Sequence, residues 1–305
     1  LRSIAVCNLK GGVGKTTSAV NIGASLARNR KRVLLVDCDP QCNLTNWLRA
    51  TPVDGEPTLY EILRGQATVR SAAVPTRWPD LHVVPASPRL HEIDRGALAG
   101  ERVLWARMCD DYDFALFDCS ASPGVVLTNA ITAADEVLAP VQAKGMALGG
   151  VARLQQLIRD LTQRGNGHAQ LTGILVCLFD GRTRIARIVL GELRARFGEL
   201  VFDTVVHENV KLAEAADHRR PITDYDAGSR GAAEYAAIAF ELTARAARLA
   251  AARTGTTKHG VAATGGDRFA RPAAGLGAGA GAAAAHADVG AHHMPGDGRL
   301  RLGRS

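Results

Sequence analysis

A short apolar strand, Ile4-Ala5-Val6, runs into Lys10-Gly11-Gly12-Val13-Gly14-Lys15-Thr16-Thr17, and a helical pattern from Thr16 to Ala27 follows at once. Strand, glycine turn, Lys-Thr and helix in this order leave few folds open. The three glycines permit φ angles and backbone approaches that a Cβ would block. Phosphate then sits on the helix N-terminus, where unpaired N–H groups and the positive end of the dipole meet the anion. Lys15 is placed to reach the outer phosphates, and the Thr16 hydroxyl to ligate Mg²⁺. The segment is a triphosphate cradle with two lysines.

Apolar runs at Ser3 to Asn8, Val33 to Asp37, Leu81 to Pro85, Phe114 to Asp118, Glu136 to Val141, Gly173 to Phe179 and Val201 to Val206 read as strands separated mostly by helical patterns. That alternation predicts an α/β fold, a doubly wound, mostly parallel sheet of P-loop NTPase type with helices on both faces. Strands covered on both faces read as continuous apolar runs, and the active site belongs at their carboxyl ends. Val151 to Arg164 predicts a helix with Leu154, Leu157, Ile158 and Leu161 on one stripe, and Ala232 to Ala252 a closing alanine-rich helix.

The length of 305 residues allows one large α/β domain or two small ones, and a domain of about 250 residues buries roughly 75% of its extended-chain surface; the element pattern is expected to occupy residues 1–252 as a P-loop domain. Beyond, residues 253–305 turn to Gly, Ala, Thr and His, with too little apolar surface to order a chain, and are expected to form a disordered tail. His286, His292 and His293 there have no acidic or cysteine partner at ligand spacing, which favours a solvated tail over a metal site.

Net charge is +7, but residues 253–305 hold seven Lys/Arg and three Asp/Glu, so +4 of it belongs to the tail and +3 to the body. Overall charge therefore says little about nucleic acid, and a local cluster must carry that argument. Six scattered cysteines without a C-x-x-C pair read as reduced thiols, and no stretch is apolar enough to span a membrane. A cytoplasmic protein is expected.

Asp37-Cys38-Asp39-Pro40-Gln41 ends the second strand and puts two carboxylates at its carboxyl end, directed by alternation to different targets. Phosphoryl transfer to water needs a metal on the β- and γ-phosphates and a group that orients the water, and these aspartates could divide that work. Asp39-Pro40 also suits a simple turn. Phe114-Ala115-Leu116-Phe117-Asp118 is an apolar strand ending in an acid, placed to hold Mg²⁺ through water opposite Thr16, though a helix-capping Asp reads the same way in isolation.

Leu9 stands where the G-x-x-x-x-G-K-[ST] pattern has its first glycine, and Lys10 follows. A second lysine upstream of the phosphate-binding one is free to reach across an interface. Here the chain resembles the deviant Walker A family of ParA and MinD type ATPases, most closely the small Soj-like ParA proteins. The resemblance covers roughly residues 3–245 and continues through Ala139-Pro140-Val141-Gln142, Gly181-Arg182-Thr183 and Glu208-Asn209-Val210-Lys211-Leu212-Ala213-Glu214-Ala215 to Pro221-Ile222 and Tyr225. It implies ATP and Mg²⁺ as cofactors and a homodimer in the ATP state, with Lys10 contacting the partner subunit's nucleotide. It also implies that Asp39 positions the attacking water, Asp37 supports Mg²⁺ and Asp118 holds it, and that Asn209 lies in the adenine-binding loop.

Departures from the family pattern are Cys42 after D-P-Q, Lys144 for an acid, His207-Glu208 for proline and arginine, and Asp118-Cys119-Ser120-Ala121-Ser122-Pro123-Gly124 with both prolines displaced.

If a helix begins near Thr183, then Arg184, Arg187 and Arg194 form one basic stripe preceded by Arg182, with Arg219 and Arg220 as a second cluster. Such stripes are usually solvated faces. The resemblance turns this one toward non-specific double-stranded DNA, strengthened by dimerisation, on the nucleoid. It also implies a ParB-like partner that stimulates hydrolysis and drives chromosome or plasmid partitioning. A poorly hydrolysing nucleotide-dependent scaffold and a MinD-like positioning ATPase remain as alternatives; the tail lacks the bulky amphipathic helix of the latter, so no membrane partner is expected.

Overall fold

The computed structural model of the chain describes residues 1–96, 100 and 102–256. Among them, strands β1 (Arg2–Val6), β2 (Val33–Cys38), β3 (Val74–Pro75), β4 (Leu81–Val84), β5 (Phe114–Cys119), β6 (Glu136–Gln142) and β7 (Gln170–Cys177) form one sheet, ordered β3-β4-β2-β5-β1-β6-β7. Every pairing is parallel except that of β3 with β4. The expected doubly wound α/β fold is what forms.

Helix α1 (Lys15–Arg28) follows β1; α2 (Asn43–Trp47), α3 (Leu59–Leu63) and α4 (Val69–Ala72) follow β2. Between β4 and β5 lie α5 (Leu90–Gly96) and α6 (Val103–Arg107), while α7 (Val125–Ala133) and α8 (Ala147–Gln163) flank β6. After β7 come α9 (Arg184–Phe197), α10 (Val210–Asp217), α11 (Ile222–Tyr225) and α12 (Arg230–Thr256).

Alternation along the strands splits the core into two layers. Ile4, Val6, Leu35 and Leu116 join α1 and α12 residues such as Ile22, Leu26, Tyr235 and Ile238 on one face. On the other, Ala5, Leu34, Val36 and Phe117 pack with α3, α7 and α8 through Ile62, Ala130, Leu154 and Ile158. Each fully buried aliphatic contributes about 1.5–3 kcal/mol, so the central strands are anchored on both sides. That rigidity fixes the loops at their carboxyl ends.

One expectation is corrected. Val201 to Val206 is not a strand: it meets β7 at one isolated bridge, Ile174 with Val201, and through the Phe202 and Val206 N–H groups, which donate to the Ile174 and Val176 carbonyls at 2.9 and 2.8 Å, while Asp203 between them is exposed and no continuous ladder forms. The closing helix, expected over Ala232 to Ala252, spans Arg230–Thr256; the expected tail beyond, with His286, His292 and His293, lies outside the described residues. The short antiparallel β3 was not legible as a strand, since Pro75 breaks its run. No helix among the described residues is long and apolar enough to cross a membrane.

Candidate functional site

The Lys10–Thr17 loop joins β1 to α1 at the carboxyl edge of the sheet. Gly12 and Gly14 take φ of 67° and 92°, left-handed values that glycine adopts without a Cβ penalty. A Cβ on Gly14 would also stand 3.4 Å from Cys177 at the end of β7, so the loop lies against that strand. Buried Asn8 holds the loop's start: its Nδ2 donates to the Pro140 carbonyl at 2.7 Å, and its Oδ1 accepts from the Lys10 N–H at 3.1 Å. Gln142 Nε2 donates to the Gly12 carbonyl at 2.9 Å. Lys15 is buried, with Nζ donating to the Lys10 carbonyl at 3.1 Å, whereas the Lys10 side chain is exposed.

Asp37 and Asp118 are register partners on β2 and β5, both fully buried. Asp37 is spoken for on both oxygens: Oδ1 accepts from the Asp39 N–H at 3.1 Å, and Oδ2 from the Thr45 N–H and hydroxyl at 2.9 and 2.7 Å. Burial, the dominant cause, pushes its carboxyl up to about 6 despite these bonds. Asp118 is different. Neither of its oxygens has a hydrogen-bond partner, and burial, then the Asp37 charge, lifts its carboxyl well above the usual range. The nearby Thr16 hydroxyl and Lys15 ammonium offset only part of that cost.

A buried carboxylate without partners, beside a threonine hydroxyl, fits a divalent cation held by Thr16 and Asp118 with Asp37 behind. Among the described residues no group of three or more His, Cys, Asp or Glu could enclose a metal alone. The remaining ligands would be phosphate oxygens and water, as Mg²⁺ prefers. Asp39 is partly exposed; its Oδ1 accepts from the Gln41 N–H at 2.9 Å, so the expected turn forms and still presents the carboxylate at the strand end.

Beside the end of β7 opens a cavity of about 550 Å³ bounded by Phe179, Arg182, His207, Glu208, Asn209 and Arg230, among others. Asn209 also caps α10, with Oδ1 accepting from the Lys211 N–H at 2.9 Å. A larger cavity, about 790 Å³, lies between β7, α9 and α12 and includes none of the phosphate-loop residues.

The basic residues separate into two places. Thr183 caps α9, and Arg184, Arg187 and Arg194 are exposed along it as expected. Arg182 is paired with Asp180 at 2.8 Å but stays 90% exposed, a pairing of little energetic weight. The second cluster does not hold together: Arg220 is tied to Asp224 at 2.8 Å, while Arg219 borders a separate cavity with Thr16.

A family model described as AAA domain matches residues 1–171. The chromosome partitioning protein ParA of Caulobacter vibrioides is 37% identical over 253 residues, covering 80% of this chain and 95% of that one. Sporulation initiation inhibitor protein Soj of Bacillus subtilis is 39% identical over 247 residues, covering 79% and 98%. The chain belongs to the ParA/Soj family of partitioning ATPases. Among solved structures, cobyrinic acid a,c-diamide synthase from Mycobacterium smegmatis with bound ADP and magnesium is 32% identical with TM-score 0.67, covering 79% of this chain and 94% of that one. The cell division ATPase MinD of Pyrococcus furiosus, at 24% identity and TM-score 0.65 over 79% and 98%, shares the fold.

Against the ParA/Soj pattern, the departures now have structural meaning. Cys42, where the family usually has glycine, takes φ of 55° and carries the left-handed cost that glycine avoids. His207 donates from Nδ1 to Glu234 at 2.7 Å, while Arg230 donates to its Nε2 at 2.8 Å. His207 thereby bridges buried Glu234 and exposed Arg230 at the cavity mouth. Val125-Val126 at the start of α7 is held from α5, where Asp94 Oδ1 accepts from the Val126 N–H at 3.1 Å. Asn8, Thr45 and Asp94 were not singled out from sequence, because the fold and not the local pattern brings Asn8 to Pro140, Thr45 to Asp37 and Asp94 to Val126.

Proposed function

We propose that the chain is a Mg²⁺-dependent ATP hydrolase of ParA type that pairs with a second copy around bound ATP and, so paired, holds double-stranded DNA without sequence preference. The partnerless buried carboxylate of Asp118 beside Thr16 is the observation that carries this assignment. The backbone of Gly11, Gly12, Val13, Gly14, Lys15, Thr16 and Thr17 cradles the phosphates, and Lys15 leaves the Lys10 carbonyl for their outer oxygens. Thr16 and Asp118 hold Mg²⁺, with Asp37 bracing the Asp39 turn. Bound there, Mg²⁺ neutralises charge developing on the β- and γ-phosphates. Asp39 orients the attacking water and accepts its hydrogen bond. Asn209 flanks the base in the cavity beside β7.

Lys10, exposed where Lys15 is buried, reaches the nucleotide of the second copy and couples dimerisation to ATP. The α9 face with Arg182, Arg184, Arg187 and Arg194 contacts DNA phosphates, and doubling it in the dimer multiplies weak contacts. A ParB-like partner stimulates hydrolysis, which releases the DNA and drives partitioning in the cytoplasm, on the nucleoid. Co-sedimentation with DNA in ATP, ADP or no nucleotide, at two salt concentrations, tests this. Pelleting with ATP alone, weakened at high salt, supports it; pelleting independent of nucleotide overturns it.

A further inference from the structure

The turn that ends α10 places Arg219 where its charge can serve the phosphate site. Arg220 N–H donates to the Ala215 carbonyl and Arg219 N–H to the Ala216 carbonyl, both at 2.9 Å, closing the helix with Arg219 at φ of 55°. Glycine suits this position, and an arginine there carries the steric cost of a left-handed backbone. Arg30 and Arg49 take the same backbone form after α1 and α2, so the strain by itself distinguishes nothing. The surroundings of Arg219 do.

Arg219 lines a cavity of about 330 Å³ with Thr16, Asn43, Asn46, Trp47, Ala216 and Asp217. Thr16 is the residue beside partnerless Asp118, so this space adjoins the phosphate loop. Its wall is fixed: Trp47 Nε1 donates to the Arg220 carbonyl at 2.9 Å, and the Ile222 N–H to Asn21 Oδ1 of α1 at 2.7 Å. Among the described residues, the guanidinium of Arg219 and the amides of Asn43 and Asn46 have no hydrogen-bond partner within the chain. Donors therefore outnumber the one carboxylate of the wall, Asp217. A planar guanidinium flanked by amide and hydroxyl donors suits a tetrahedral oxyanion.

We propose that Arg219, with Asn43, Asn46 and Thr16, forms a phosphate subsite beside the nucleotide, occupied by inorganic phosphate released on hydrolysis or by a phosphate still borne by the nucleotide. Hydrolysis of ATP by water yields ADP, inorganic phosphate and a proton, so the turnover assigned above supplies the free anion. The subsite rests on that assignment, because Thr16 is its link to the bound phosphates.

The test uses the full chain and its Arg219→Ala, Arg219→Gly and Arg219→Lys variants. Inorganic phosphate is titrated against thermal unfolding in the presence of Mg-ADP, and the Kd for ATP is measured alongside DNA affinity. A subsite for free phosphate is expected to weaken at least tenfold in the alanine and glycine variants and less in the lysine variant, although Arg219→Gly should itself unfold at a higher temperature. A tenfold loss of ATP affinity with phosphate binding unchanged assigns the anion to the nucleotide and keeps the subsite. Phosphate and ATP binding both within twofold of the parent overturn it, as does a loss confined to DNA affinity. A parent protein that binds no Mg-ATP instead sinks the ATPase assignment.

Discussion

Lys15 Nζ donates to the backbone carbonyl of Lys10 at 3.1 Å, so the buried lysine of the loop is held by the residue whose own side chain points into solvent. Under the proposed function, Lys15 serves the nucleotide of its own chain and Lys10 that of a second copy. Lys15→Ala should weaken ATP binding at least a hundredfold in a fluorescent-nucleotide titration. Lys10→Ala should leave that Kd within a few-fold while abolishing the two-chain species in sedimentation.

Asp118 should cost the nucleotide-free fold stability at neutral pH. Its neutral form is favoured in the folded state, as is that of Asp37, whose carboxyl rises from 3.8 to about 6. A raised acid makes the folded state bind more protons, so this stability is present below the unfolded value and is lost as pH climbs through about 6. Asp118→Asn removes the charge without removing a hydrogen bond. At pH 7.5 the nucleotide-free variant should be more stable by on the order of 2 kcal/mol, the gap should shrink at pH 5, and stabilisation by Mg-ATP over ATP alone should vanish. Urea unfolding at the two pH values checks the first two points and thermal unfolding the third.

Cys42 sits at φ of 55° before α2, with its thiol pushed up to about 11 chiefly by burial, so it is strained and unreactive. Cys42→Gly should stabilise the protein by about 1 kcal/mol, raising the unfolding temperature by roughly 2–4 °C. A fall in calorimetry would mean that thiol packing outweighs backbone relief.

Arg184 and Arg187 are exposed along α9 and remote from the phosphate loop in sequence. Replacing both with alanine should lower DNA affinity about tenfold or more and flatten its salt dependence, with ATP-driven dimerisation intact. Filter binding at two salt concentrations reads this directly; unchanged affinity makes the stripe a solvated face.

Much of the site was legible because its signals are local. The order of strand, glycines and Lys15-Thr16 places the loop, and apolar strands that end in Asp37 and Asp118 place the acids. Partners set by the fold were not legible: Thr45 reaches Asp37 through the turn between β2 and α2, and Asn8 on Pro140 and Asp94 on the start of α7 depend on how the layers close. The apolar run Val201 to Val206 read as a strand because composition does not show where a chain bends away from a neighbour. Arg219 and Arg220 read as one cluster, yet the turn after α10 sends one toward Thr16 and ties the other to Asp224.

The central claim is that two copies close around ATP before hydrolysis parts them. The mass of the Asp39→Ala variant in saturating Mg-ATP, by light scattering or sedimentation equilibrium, tests this most directly. Two chains per particle with ATP and one with ADP are expected; one chain per particle in both would contradict the account.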